Sequence, residues 1–164
     1  MVPRLLLCLF GALTLAACVS RDVQKDLKIV EVKTGWYDAG LIEGGKNKLV
    51  PSVSLKIENI SAEDIASVEM NAIFRRVGET EVWGEHFIRA IGSNGLPAGQ
   101  TGPPIVLRST LGYTGTEPRS QMLENGQFVD ARVVIFGRHG SRSWAKMGEY
   151  DVQRQLLARP AATR

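Results

Sequence analysis

Residues able to do chemistry are sparse in this chain. Its histidines are His86 and His139, and its cysteines are Cys8 and Cys18. Structural zinc usually takes four Cys or His ligands, and catalytic zinc three protein ligands. Two isolated histidines do not supply such a set, so no metal and no cofactor is expected. The turn His139-Gly140-Ser141 sets a base near a hydroxyl, but without the G-x-S-x-G elbow that presents a nucleophile. Gly40-Leu41-Ile42-Glu43-Gly44-Gly45-Lys46-Asn47 has the G-x-x-x-x-G-K spacing of a phosphate-binding loop. That chemistry needs a Ser or Thr for magnesium and a helix N-terminus behind the glycines. Here Asn47 follows Lys46 and Pro51 comes soon after, so a Gly/Lys hairpin loop is expected instead. A hydrolytic or carbohydrate-binding cleft would have to gather Asp130, His86 and His139 from distant positions. No enzymatic role is expected.

Cys18 belongs to a different pattern. Arg4 is the one charge before an apolar run from Leu5 to Leu15. That run falls well short of the roughly 20 residues a membrane-spanning helix needs. A basic start, a short apolar stretch and small residues at its end read as a secretory signal peptide. The last of these residues, Leu15-Ala16-Ala17-Cys18, resemble the lipobox of bacterial lipoproteins. The resemblance implies cleavage after residue 17 and a diacylglycerol on the Cys18 thiol, with the membrane as a partner through that lipid. Val19, where aspartate would favour the inner membrane, implies an outer-membrane, periplasm-facing location. Two acyl chains give stable attachment at about 0.8 kcal/mol per buried methylene. The expected organisation is a signal peptide over 1–17, a lipidated tether over 18–26, a domain over 27–156 and a flexible tail over 157–164.

The 164 residues, 44% hydrophobic and 23% charged, suit one folded domain. Twenty basic residues against 17 acidic ones give a net charge of +3, too mild to imply nucleic acid. Beyond Cys18 the chain has no cysteine, so an apolar core must hold the domain without a disulfide.

Alternation, the mark of half-buried strands, dominates that domain. Strands are expected from Leu27 to Trp36–Tyr37, around Val53–Ile57, from Val68 to Arg75, from Val82 to Ile88, from Ile105 to Leu111, from Phe128 to Phe136 and from Ser143 to Leu156. Loops are expected at Gly40–Lys48 and Gly92–Pro104, and one helical turn near Ser120–Glu124. About seven strands without an amphipathic helix between them predict an all-β, antiparallel, immunoglobulin-like β-sandwich, with a small barrel as the competitor.

Two segments carry a looser resemblance. Ile57-Glu58-Asn59-Ile60-Ser61, with a strand ending near Phe74, and Leu96-Pro97-Ala98-Gly99-Gln100-Thr101 look like short immunoglobulin-like envelope modules of the FxLYD type, although the namesake sequence is absent. This implies the same sandwich fold. Within the strongest strand, Val129, Ala131, Val133 and Ile135 form one row, and Phe128, Asp130, Arg132, Val134 and Phe136 the other. Phe128, Asp130, Arg132 and Phe136 are the expected partner-binding face, with Arg75, Arg76, Arg89 and Arg108 as its possible extension. The expected function is a non-catalytic protein-interaction or envelope-assembly module with an envelope protein as partner. The alternatives are an envelope hydrolase, a carbohydrate-binding accessory, or a small apolar-ligand carrier with a cavity between its sheets.

Overall fold

The computed structural model describes residues 21–157. The expected signal segment, the lipobox with Cys18 and the tail residues 158–164 lie outside the described residues. Within them, Asp22 caps a single helical turn, α1 (Val23–Asp26), by accepting the Gln24 N–H at 3.0 Å. Val23 is buried, and Gln24 Nε2 donates to the Lys146 carbonyl at 2.8 Å. The segment expected as tether is therefore docked from Asp22 onward, because the Val23 side chain joins the core.

β1 (Leu27–Ile42) and β2 (Lys46–Asn59) make one long antiparallel hairpin. The loop expected over Gly40–Lys48 shrinks to Glu43–Gly45, since Gly40, Leu41 and Ile42 pair with Lys48, Asn47 and Lys46. Gly44 and Gly45 turn the chain with φ of 77° and 70°, a region glycine enters without steric cost. The chain continues through β3 (Val68–Arg76), β4 (Gly84–Ile91), β5 (Ile105–Arg108), β6 (Tyr113–Gly115), α2 (Arg119–Glu124), β7 (Ala131–His139), β8 (Ala145–Asp151) and β9 (Leu156–Leu157).

These strands form two sheets, one in the order β5-β2-β1-β9 with β6 also on β2, the other β4-β3-β7-β8. All pairs are antiparallel except β1 with β9. The described residues thus form an all-β sandwich with nine strands where about seven were expected. Placing β1, β2 and β5 in one sheet and β4-β3-β7-β8 in the other is the strand distribution of an immunoglobulin-like sandwich.

The sheets meet through rows of period two. Val68, Met70, Ala72 and Phe74 of β3 and Ala131, Val133 and Ile135 of β7 are buried, as are Val53, Leu55 and Ile57 of β2. Trp36, with no exposed surface, centres an aromatic group at one end of this core. Phe128 meets it edge-on at 4.6 Å between ring centroids, and Tyr113 and Trp83 lie at 5.6 and 6.0 Å.

The segments that look like the FxLYD type are fastened to each other. Asn59 is fully buried at the end of β2, and its Nδ2 donates to the carbonyls of Glu63 and Leu96 at 2.9 and 2.8 Å. Its Oδ1 accepts from the Ser61 N–H and hydroxyl at 3.0 and 2.7 Å. The Gln100 carbonyl takes the Asn59 N–H, and the Gly99 N–H reaches the Asn59 carbonyl, both at 2.9 Å. One amide thus ties the β2–β3 turn to the β4–β5 loop. Asn59→Ala removes four side-chain hydrogen bonds at a fully buried position, although the Leu96 and Glu63 carbonyls still accept from the Ile65 N–H and the Ser61 hydroxyl. It is expected to lower the unfolding free energy by about 3 kcal/mol in urea titration. A loss below about 1 kcal/mol would show that the amide is not the fastener.

Candidate interaction face

Because side chains alternate along a strand, burying one row of β3 and β7 forces the other row outward. The exposed face of the β4-β3-β7-β8 sheet is therefore fixed by the core beneath it. Cross-strand register gives its composition. Phe87 neighbours Asn71, which neighbours Phe136, and Glu85 neighbours Ile73, which neighbours Val134. Arg89, Glu69 and Arg138 form the next row toward one end, and Arg75, Arg132 and Asp151 a row toward the other.

Two aromatic rings dominate this face. Phe87 is 52% exposed and Trp144, just before β8, is 38% exposed. They meet edge-on with centroids 6.0 Å apart and planes at 84°. The Arg138 guanidinium lies 4.5 Å from the Trp144 ring centre and donates to Glu69 Oε2 at 2.6 Å. Stacking and the ion pair together hold the arginine in place beside the rings. Asn71 Oδ1, between Phe87 and Phe136 in register, is buried without a hydrogen-bond partner among the described residues.

Charged side chains rim the face. Arg132 donates to Asp151 at 2.7 Å and to Glu149 at 3.4 Å. The bond to Asp151 holds the Arg132 guanidinium above its usual value, and the bond from Lys146 holds the Glu149 carboxyl below its own. Such exposed pairs stabilise a fold by at most about 1 kcal/mol each.

Of the four residues expected to form a partner-binding face, the structure places only Arg132 and Phe136 on this one. Phe128 is 7% exposed and belongs to the aromatic core against Trp36. Asp130 precedes β7 and accepts from Arg154 Nε at 2.6 Å, away from the rings. The expected alternation fails here because β7 starts at Ala131, and Val129, assigned to the buried row, is 37% exposed. Among the expected extensions, Arg75 and Arg89 rim the face. Arg108 stacks on Tyr37 at 3.5 Å in the other sheet, and Arg76 on Trp83 at 5.6 Å. Phe87 and Trp144 were missed. Alternation sets Phe87 opposite His86 and Ile88 but does not say which side is buried, and Trp144 follows a turn that resets the phase.

The other candidate residues do not converge. Asp130 and His139 flank opposite ends of the nine-residue β7, roughly 30 Å apart at 3.3 Å per residue. His86 faces inward, where its Nδ1 accepts the Arg108 N–H at 2.9 Å and bridges β4 to β5. Gly84 allows that approach, since a Cβ there would lie 2.1 Å from Ser109 Oγ. An apolar cleft of about 210 Å³ is lined by Ile57, Ala90, Ile91, Leu96 and Ile105 among others. Ligand pockets run from about 300 Å³ upward, so a lipid tail does not fit inside it. Among the described residues no three His, Cys, Asp or Glu side chains gather as a metal would need, and no helix is long and apolar enough to cross a membrane.

The chain matches no protein-family model, no curated protein and no solved structure. The reading of the face therefore rests on its own geometry. Phe128→Ala is expected to cost about 3–5 kcal/mol of stability, as for a core aromatic. Phe87→Ala is expected to cost less than about 1 kcal/mol, as for a surface residue. Denaturant titration of both variants checks this, and equal losses would contradict the division between core and face.

Proposed function

We propose that this chain is a lipoprotein of the outer membrane, anchored at Cys18 and facing the periplasm, whose sandwich is a non-catalytic protein-interaction or envelope-assembly module. The observation that carries the interaction reading is the exposed Phe87–Trp144 pair with Arg138 held beside it by Glu69. Tryptophan and arginine contribute disproportionately to protein interfaces, and a braced side chain loses little freedom when a partner covers it. The lipobox Leu15-Ala16-Ala17-Cys18 supports the anchor. Two residues separate Cys18 from Arg21, where the described residues begin, a reach of at most roughly 10 Å over three Cα–Cα steps. On this reading the domain lies against the bilayer, and its partner is an envelope protein close to that surface.

Cys18→Ser is expected to abolish fatty-acid labelling and release the protein from the membrane fraction. Joint substitution of Phe87→Ala and Trp144→Ala is expected to cut in-cell crosslinking to an envelope protein at least tenfold, with the thermal midpoint nearly unchanged. Persistent labelling of Cys18→Ser would remove the anchor. Turnover or binding of a glycan, with no protein captured, would replace the module by a hydrolase or carbohydrate-binding accessory.

A further inference from the structure

Most edges of the two sheets are covered. β9 lies along β1, and Trp36 N–H donates to the Gln155 carbonyl at 2.8 Å. On β8 the carbonyls of Lys146 and Asp151 accept from Gln24 Nε2 and Thr34 Oγ1, each at 2.8 Å. On β5 the Arg108 N–H goes to His86. β4 differs, as the direction of its backbone groups makes clear. Val77 N–H donates to the Asp130 carbonyl and Gly140 N–H to the Ser67 carbonyl, so odd-numbered residues of β3 bond toward β7 and even-numbered ones toward β4. By register, Gly84, His86 and Ile88 then bond β3, and Glu85, Phe87 and Arg89 point their N–H and C=O away from the sheet. Among the described residues no hydrogen bond meets those outward groups, and Glu85 and Arg89 form no ion pair.

An open edge with free backbone groups is a template for another strand. The side chains on it specify which one. Antiparallel pairing of β4 with a second β4, centred on Phe87, sets Phe87 against Phe87 of the second copy. It also sets Glu85 against Arg89 of the second copy, and Arg89 against its Glu85. The outward backbone groups are then in phase, closing about six N–H···O bonds across three hydrogen-bonded pairs. We infer that two copies of this chain join through β4, about a two-fold axis at Phe87, into one continuous eight-stranded sheet. Paired residues point to the same face, so the two Phe87–Trp144 pairs become one aromatic row. The pairing stands without the lipid anchor or any other partner, and only the use of the enlarged face rests on the proposed function. Pairing along one short strand buries little area, so the dimer is weak in dilute solution and favoured by confinement on a membrane.

The test is oxidative crosslinking of the full chain carrying Phe87→Cys, with the unsubstituted chain as the control for Cys8 and Cys18. Hydrogen-bonded antiparallel partners lie about 5.5 Å apart between Cα atoms, within disulfide range. Glu85→Cys places its two thiols roughly 13 Å apart along the strands and serves as the register control. Phe87→Cys is expected to give a disulfide-linked dimer and Glu85→Cys none. Adding Glu85→Arg or Arg89→Glu to Phe87→Cys opposes like charges twice and is expected to lower the dimer about fivefold. Adding both reversals together is expected to restore it. No dimer from Phe87→Cys, equal crosslinking from Glu85→Cys, or failure of the double reversal to restore it would overturn the pairing. Capture of a different protein at Phe87 without a self-dimer would overturn it too, while leaving the interaction reading intact.

Discussion

The burial of one side-chain row of β3 and β7 against β2 is the constraint from which the rest of this molecule follows. Residues 21–157 hold no cysteine, so no disulfide assists the contact. Phe74, Met70, Val133 and Ile135 meet Val53 and Leu55 with almost no exposed surface. A pleated strand cannot slip by one residue without moving that whole row into water. The register is therefore locked, and with it the opposite row that solvent sees. Phe136, Asn71, Glu69 and Arg138 occupy the outer face because their neighbours on the chain are needed inside.

The same constraint fixes what the edges expose. The phase that turns His86 inward to hold the Arg108 N–H turns Phe87 outward. The ladder that bonds His86 to β3 leaves the backbone of Phe87 facing away from the sheet. Aromatic surface, a braced arginine and an open strand edge thus meet at one place. None of them depends on a catalytic group. The fastening of Asn59 to the loop of Leu96 and Gly99 secures the other end of β2, away from this face.

Much of the fold is legible in the sequence because period-two alternation is local. β3 and the Ala131, Val133 and Ile135 row of β7 are legible, but Val129 is not part of that row, and the helical turn near Ser120–Glu124 is α2. Features set by distant contacts are not legible in this way. The stretch Ser143–Leu156 read as one strand, but it divides into β8 and the short β9, which pairs parallel with Trp36 and Tyr37. Parallel pairing joins segments far apart in sequence and leaves no local pattern. The face suffered likewise. Alternation within β7 places Arg132 and Phe136 on the outer face, but it does not extend past Ala131, and Phe128 lies in the core. Trp144 reaches Phe87 from the far side of the sheet, a contact that only the tertiary arrangement creates.

The central claim is that this protein engages other proteins through the outer face of the β4-β3-β7-β8 sheet. Photo-crosslinking groups placed one at a time at Phe87, Trp144 and Leu41 in the full chain, and activated in intact cells, test it most directly. Leu41 is the sharpest control, since it is 68% exposed yet sits at the β1–β2 tip away from the face. The account predicts protein adducts from Phe87 and Trp144 and none from Leu41. Adducts from Leu41 alone, with none from the two aromatic positions, would contradict it.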